Sequence, residues 1–187
     1  MEWHTNRMSK ANNIFLVGPM GAGKTTIGRH LATLLHKRFV DVDHEIEKRT
    51  GVGIPVIFEI ESEEGFRRRE SAVIDELTRD RDIVLATGGG AVLMEANRRA
   101  LKERGTVVYL QADIETLVER TRRDRNRPLL QTSNPRGKIE ELLRQREPIY
   151  REVADVVVDT GQRAPSSVAR DIVTRIKALS ADENPER

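Results

Sequence analysis

The chain has 187 residues, with 32 Lys and Arg against 30 Asp and Glu, so its formal net charge is only +2. This length predicts one domain, and the charge balance argues against a protein that binds nucleic acid through an overall positive surface. The absence of cysteine excludes disulfides, thiolate metal sites and cysteine catalysis. No apolar run approaches the about 20 residues that span a membrane, and residues 1–13 lack a stretch of signal-peptide type, so we expect a cytoplasmic protein without membrane contact.

Short apolar runs alternate with helical patterns along the chain. We predict strands at residues 14–17, 39–42, 83–86, 106–110 and 155–158. We predict helices at residues 24–35, 43–50, 55–60, 64–79, 95–103, 113–123, 138–150 and 166–179. Five apolar strands that alternate with helices predict an α/β fold with a parallel sheet covered on both faces. Ligands in such folds bind at the carboxyl ends of the strands.

Proline and glycine set the expected interruptions of this pattern. The helical pattern at 138–150 should hold only until Pro148, because proline has no N–H to continue it. Residues 124–137, which are rich in Arg, Asn and Pro, should form a mobile loop. Residues 1–13 are polar and without pattern, so we expect a loose tail.

The strongest chemical signal follows the first strand. Residues 18–25 read Gly-Pro-Met-Gly-Ala-Gly-Lys-Thr and match G-x-x-x-x-G-K-[ST], a phosphate-binding loop. Glycines let backbone N–H groups converge on phosphate oxygens, and a helix that begins near Lys24 adds the positive end of its dipole. Lys24 would reach the β- and γ-phosphates, and Thr25 would offer its hydroxyl to Mg²⁺. The motif predicts a nucleoside triphosphate ligand but does not specify the reaction.

Two other strand ends carry candidate site residues. Asp41 and Asp43 lie at the end of the second strand, although both could instead be turn or helix-cap residues, and Asp43 in particular precedes a helix that it would cap well. The third strand ends in three consecutive glycines at 88–90. Such a run is explained where a substrate must approach the main chain closely, and a plain loop is the alternative.

Arginine is concentrated in two segments. In the helical run Phe66-Arg-Arg-Arg-Glu70, neighbouring side chains point to different faces, so only one or two of these arginines can face a site. Residues 120–127 contain five more arginines. They could form a lid over transferring phosphates or a patch that contacts RNA, but only 4% of the chain is aromatic, which gives little support to base stacking. The four histidines show no metal-ligand spacing.

Together these motifs resemble the shikimate kinase family, most closely its bacterial members. The resemblance covers residues 14–179 and rests on segments in family order and spacing at 16–25, 41–43, 65–70, 86–90, 127–130 and 146–150. It implies a nucleoside-monophosphate-kinase-like P-loop fold with five parallel strands in the order 2-3-1-4-5. It also implies ATP- and Mg²⁺-dependent phosphorylation of the shikimate 3-hydroxyl, in the chorismate and aromatic amino-acid pathway, by a monomer without a nucleic-acid partner.

The resemblance further implies a division of the chain. A tail at 1–13 would precede a single kinase domain at 14–180, and a second tail would occupy 181–187. Within the domain, a small substrate-binding lobe would span about 44–71 and a lid about 122–135.

The resemblance also assigns roles to individual residues. The catalytic residues would be Lys24, Asp43 and Arg127. Shikimate would contact Asp43, Ile54, Phe58, Phe66, Arg67, Glu70, Gly89, Gly90 and Arg146. Arg67 and Arg146 would hold its carboxylate, and Glu70 would orient Arg67. ATP would contact Gly21, Ala22, Gly23, Lys24, Thr25, Thr26, Arg120, Arg127, Arg163 and Pro165. Thr25 and Asp41 would hold one Mg²⁺ ion, Asp41 through water.

Two other classes of function stay open on the sequence. A kinase for gluconate or a nucleoside monophosphate would keep Lys24 but would not need Asp43, Arg67 and Arg146 together. A non-catalytic nucleotide switch or an RNA-binding module is the non-enzyme alternative. A GTPase would be expected to carry N-K-x-D, which does not occur in this chain.

Overall fold

The computed structural model describes residues 12–124 and 126–182. Most of the two predicted tails, and Arg125 in the predicted lid, lie outside the described residues. The strands are β1 (Ile14–Val17), β2 (Arg38–Asp41), β3 (Ile83–Ala86), β4 (Thr106–Gln111) and β5 (Val156–Asp159). The helices are α1 (Lys24–Leu35), α2 (Val42–Thr50), α3 (Ile54–Leu77), α4 (Glu95–Arg104), α5 (Ile114–Thr121), α6 (Pro135–Val153) and α7 (Pro165–Asp182). None of the helices in these ranges is long and apolar enough to cross a membrane.

The strands form one parallel sheet in the order β2-β3-β1-β4-β5, which confirms the predicted fold. The central strand β1 pairs on both sides, Leu16 with Ala86 of β3 and with Val108 of β4. Phe15 belongs to a buried apolar cluster with residues of α3, α4 and α6, and Leu16 to a second cluster with residues of α1, α5 and α7. The sheet is therefore buried on both faces, as a continuous apolar run requires.

Helix α6 corrects one prediction, because it continues through Pro148 to Val153. An interior proline removes one helical hydrogen bond and costs about 3 kcal/mol. Arg146, Tyr150 and Val153 on the same stretch are all buried. Burying each large apolar side chain contributes about 1.5–3 kcal/mol, so the packing of this helix outweighs the local cost of the proline.

The start of α2 corrects a second prediction. Asp41 is the capping residue, since its Oδ1 accepts a hydrogen bond from the backbone N–H of His44 at 3.2 Å. Asp43 lies inside the first turn of α2. The alternative that Asp43 caps this helix is therefore wrong, and its side chain needs another explanation.

Two predicted boundaries also move. The loop expected at 124–137 contains a 3₁₀ turn at Pro128–Leu130, and α6 begins at Pro135, where Asn134 caps the helix by accepting from the N–H of Gly137. Asn13, expected in the tail, is buried, and its side chain accepts from the N–H of Ile83 at 3.2 Å. The folded domain therefore begins before β1.

Helix α3 joins two segments that the sequence predicts as separate helices. It bends at Ser62, which has φ 63° and ψ 177°. The first segment carries Ile54 and Phe58, and the second carries Phe66, Arg67 and Glu70. The bend thus places both segments around one recess.

Candidate active site

The carboxyl ends of β1, β2 and β3 open into a cleft of about 780 Å³. Its wall includes residues of the phosphate loop, the first turn of α1, and the side chains of Asp41, Asp43, Arg120 and Arg127. A smaller recess adjoins it and shares Asp43, Ile54, Asn126 and Arg127 with it. The recess is completed by Met20, Phe58, Phe66, Arg67, Glu70, residues 88–90, residues 128–129 and Arg146. The site therefore consists of two connected compartments.

The phosphate loop has the backbone conformation that its glycines allow. Gly21 has φ 85° and Gly23 has φ 95°, both in the left-handed region that favours glycine. Gly23 precedes α1 without a side-chain cap, so the first N–H groups of that helix are available to an anion. Arg120 braces the loop, since its guanidinium donates to the carbonyl oxygens of Gly21 at 3.2 Å and Gly161 at 2.7 Å.

Lys24 points back into this loop. Its Nζ donates to the carbonyl oxygens of Gly18 at 2.7 Å and Pro19 at 2.8 Å. The pKa of Lys24 is lowered to about 7, mainly by burial and next by the nearby Arg127 guanidinium, while Asp43 and Asp41 act in the opposite direction. Without a phosphate, this ammonium is therefore only weakly held in its charged form.

Thr25 and Asp41 meet at the wall of the larger cleft. The Thr25 hydroxyl donates to Asp41 Oδ2 at 2.6 Å, while the other carboxylate oxygen caps α2. A hydroxyl and a carboxylate are hard oxygen donors of the type that Mg²⁺ prefers, and Mg²⁺ usually adds waters and phosphate oxygens to such a pair. The donor set therefore fits a magnesium ion that is shared with a nucleotide.

Two arginines converge on the triple-glycine turn from different helices. A Cβ added at Gly90 would lie 2.2 Å from Arg67 Nη2, and one at Gly89 would lie 3.5 Å from Arg146 Nη1. Arg67 donates to the buried Glu70 Oε2 at 2.8 Å and to Glu63 at 3.1 Å. Burial alone would lower the pKa of Arg67, but Glu70 and Glu63 together more than offset this and the pKa is raised. Glu70 thus orients a charged guanidinium against the turn.

The recess contains buried polar atoms without partners. Among the described residues, buried side-chain atoms that lack a hydrogen bond include Asp43 Oδ1, Arg67 Nε, Glu70 Oε1 and Arg146 Nε. All four side chains line the recess. Buried polar groups are normally satisfied, and each exception calls for an explanation such as a missing ligand. Burial raises the pKa of Glu70 to about 6. Burial also raises the pKa of Asp43, and the negative charge of Asp41 raises it further.

An apolar wall faces these polar groups. Ile54 and Phe66 are buried, and Phe58 is partly buried against the same cluster. The rings of Phe58 and Phe66 have centroids 4.9 Å apart and are tilted by 39°. The recess can therefore accept a small ring or chain that is apolar on one face and carries anionic and hydroxyl groups on the other.

Arg127 lies between the two compartments. Its Nε donates to Asp124 Oδ2 at 2.8 Å, and both side chains are about one-third exposed. The pairing uses Nε, which leaves the terminal nitrogens of Arg127 for groups in the cleft. The structure thus brings Lys24, Asp43 and Arg127 to the junction of the compartments.

Three predicted nucleotide contacts, Ala22, Arg163 and Pro165, do not line the cleft, and Ala22 is fully buried. Arg163 donates to the carbonyl oxygen of Asp159 at 3.1 Å and to Asp171 at 3.0 Å, and Pro165 begins α7. Arg120 links the loop before them to the phosphate loop through Gly161. Their contact with a nucleotide therefore stays a prediction.

Sequence reasoning missed several residues of the site. Met20, Asn126 and Leu129 line the recess, and Asp124 holds Arg127. Met20 lies at a variable position of the phosphate-loop pattern, and no spacing rule selects Asn126 or Leu129. Only the proximity of Asp124 to Arg127, three residues apart in an arginine-rich segment, gave a usable signal.

Comparison with known proteins identifies the family of this chain. The family model described as "Shikimate kinase" matches residues 20–177. The chain is 61% identical to a shikimate kinase of Methylococcus capsulatus over 89% of this chain and 93% of that protein. It is 58% identical to one of Bordetella pertussis over 88% of this chain and 78% of that protein.

A solved structure extends the likeness to the fold. The shikimate kinase of Acinetobacter baumannii, in complex with shikimate, superposes with a TM-score of 0.89 at 54% identity, covering 90% of this chain and 94% of that one. Sequence and structure thus agree over nearly the whole described domain. The chain belongs to the shikimate kinase family, whose members are ATP-dependent kinases that generally require Mg²⁺.

Proposed function

We propose that this chain carries out its family's reaction, transfer of the γ-phosphoryl group of ATP to the shikimate 3-hydroxyl, with shikimate in the recess and ATP in the larger cleft. One observation carries the assignment of compartments. Two guanidinium groups from separate helices, Arg67 and Arg146, meet at residues 88–90 with buried nitrogens that lack partners. A planar carboxylate is the ligand that paired guanidinium groups recognise best.

The rest of the recess suits the remainder of shikimate. Ile54, Phe58 and Phe66 would cover one face of the ring. The side chains absent at Gly89 and Gly90 would let hydroxyl groups reach the main chain. Asp43 Oδ1, buried and without a partner, would accept the hydrogen bond of the reacting hydroxyl.

The raised pKa of Asp43 strengthens this role. A carboxylate with a raised pKa is a better proton acceptor than an ordinary one. Phosphoryl transfer through a loose transition state depends more on orientation than on full deprotonation. Asp43 would therefore align the hydroxyl and take its proton late.

The charge that develops on the transferring group needs cations at the junction. Lys24 would leave the carbonyl oxygens of Gly18 and Pro19 for the β- and γ-phosphates, and Arg127 would contact the same group from the opposite side. Fixed charges of this kind stabilise the transition state in a site that excludes water. Arg120 would hold the phosphate loop and border the adenine side of the cleft, with Arg163 and Pro165 as further contacts.

One Mg²⁺ ion would be held by the Thr25 hydroxyl, with Asp41 bound through water because one of its oxygens already caps α2. When bound, the ion neutralises phosphate charge. Because every proposed contact comes from one chain, a monomer suffices for activity. Sedimentation of the purified protein tests that point directly.

The decisive experiment measures ADP release with shikimate, gluconate and AMP offered separately. We expect turnover only with shikimate, because an apolar wall suits a carbon ring better than an open-chain sugar acid or a nucleotide. Arg67→Lys and Arg146→Lys keep the charge but lose the planar fork, so both should raise the shikimate KM. Arg68→Ala is the matched control, since Arg68 lies on the same helix with its side chain 67% exposed. Turnover of gluconate or AMP at a comparable rate would overturn the assignment.

A further inference from the structure

Tyr150 connects two elements of the shikimate recess without lining it. It lies one helical turn after Arg146 on α6 and is fully buried. Its hydroxyl donates a hydrogen bond to the carbonyl oxygen of Gly89. The turn at 88–90 has no side chains with which to form hydrogen bonds, so this bond ties the Gly89 peptide to α6.

The position of Gly89 makes that restraint consequential. A Cβ added at Gly89 would lie 3.3 Å from the backbone nitrogen of Met20 in the phosphate loop and 3.5 Å from Arg146 Nη1. The Gly89 peptide is therefore wedged between the nucleotide loop and one of the two carboxylate-binding arginines. A small shift of this peptide changes the space in which the Arg146 guanidinium lies.

The surroundings of Tyr150 keep its hydroxyl protonated and its ring in place. Burial raises the pKa of Tyr150 far above its usual value, and the nearby Arg146 guanidinium offsets only part of that rise. The hydroxyl is thus a donor at any pH at which the enzyme works. The ring stacks on Tyr109 with centroids 5.1 Å apart.

We infer that Tyr150 is a positioning residue for shikimate binding, whose hydroxyl holds the Gly89 peptide and, through it, the Arg146 guanidinium at the carboxylate end of the recess. The inference rests on the proposed function of Arg146 and Gly89. It concerns a residue that touches neither substrate, so its signature is a change in shikimate binding without a change in nucleotide binding.

A matched pair of variants isolates the hydroxyl. Tyr150→Phe keeps the buried ring and removes the hydroxyl, with its bond to Gly89 and its direct interaction with the Arg146 guanidinium. Tyr109→Phe removes the hydroxyl of the stacked neighbour, which has no hydrogen-bond partner among the described residues. Both variants lose one buried oxygen from the same aromatic pair, and only the first loses a bond to the recess.

The assay is steady-state kinetics with shikimate and MgATP varied in turn, together with thermal unfolding. Tyr150→Phe should raise the shikimate KM about tenfold, the usual effect of one lost buried hydrogen bond, with the MgATP KM within about twofold of wild type. Tyr109→Phe should leave both KM values unchanged. A lower melting temperature for Tyr150→Phe with an unchanged shikimate KM would make Tyr150 a purely structural residue and overturn the inference, as would an equal rise of both KM values.

Arg146→Lys separates this inference from the proposed function. If Arg146→Lys raises the shikimate KM and Tyr150→Phe does not, the inference about Tyr150 fails and the assignment of the recess stands. If Arg146→Lys leaves the shikimate KM unchanged, the assignment of the carboxylate site itself fails. Calorimetric titration of each folded variant with shikimate alone gives the dissociation constant independently of turnover.

Discussion

Nucleotide binding should draw a proton onto Lys24. In the free protein its pKa is about 7, because the ammonium is buried and lies near Arg127. The β- and γ-phosphates would add negative charge beside Nζ and return the pKa toward the ordinary value of about 10.5. Above about pH 7 Lys24 is mostly deprotonated in the free protein and protonated in the complex. Nucleotide binding is therefore expected to take up a proton from solution.

The size of the uptake follows from that pKa. At pH 8 about one tenth of the free protein carries a proton on Lys24, so MgATP binding should take up about 0.9 proton. The expected uptake falls to about 0.5 proton at pH 7 and about 0.1 proton at pH 6. Calorimetric titration in buffers of different ionisation enthalpy measures these numbers directly.

Lys24→Arg provides the control for this measurement. An arginine keeps the positive charge and cannot be deprotonated in a protein, so its proton uptake should not rise between pH 6 and pH 8. Ionisable groups that do not interact with residue 24 contribute equally to both proteins and cancel in the difference. If wild type and Lys24→Arg take up the same number of protons at pH 8, then Lys24 is already charged in the free protein, and the reasoning from its burial is refuted.

Three further predictions concern the acceptor side and the lid. Arg67→Ala should weaken shikimate binding by about 2–5 kcal/mol, because the shikimate carboxylate would lose a buried charge-assisted partner, and should leave MgATP binding intact. Calorimetry that shows equal loss of both ligands would indicate general destabilisation. Asp43→Asn should keep the melting temperature, since Asp41 is the cap of α2, and should lower turnover by orders of magnitude; full activity would remove Asp43 from the proton path. Hydrogen exchange across residues 122–135, which include the Asp124–Arg127 pair, should slow when both ligands are present, and exchange that is the same with and without ligands would contradict closure.

The sheet and the phosphate loop were predictable because their signals are local. A continuous apolar run such as 14–17 marks a strand that is buried on both faces, and the loop after it has residue types that phosphate binding requires. The strand order came from family resemblance, since no periodicity specifies which parallel strands become neighbours. The observed sheet confirms the five strands and their order.

The misplaced features depend on tertiary packing. Pro148 ends a helix by local rules, but α6 is held by buried residues on both sides of it. Asp43 and Asp41 are equally good caps by type, and only the observed start of α2 shows that Asp41 takes this role. Asn13 is polar and follows a patternless segment, yet its amide joins strand β3 to the start of the domain. For Pro148 and Asn13, contacts between distant residues decided what the local sequence left open, whereas for Asp41 the exact start of α2 decided it.

The pairing of β1 with β3 has a consequence for how such an enzyme can change its acceptor. Leu16 pairs with Ala86, and Thr87 donates to the Leu16 carbonyl oxygen through both its N–H and its hydroxyl, at 3.1 and 3.0 Å. The phosphate loop and the triple-glycine turn therefore begin at neighbouring positions on adjacent strands. Backbone hydrogen bonds between these strands set the separation of the two loops. The segment between β2 and β3, which supplies Ile54, Phe58 and Arg67, is held on the sheet by side-chain packing and not by strand pairing. A redesign that keeps Asp43 and the buried side chains of this segment could change the residues that line the recess to suit another alcohol, because the strands beneath would keep the separation of the two loops.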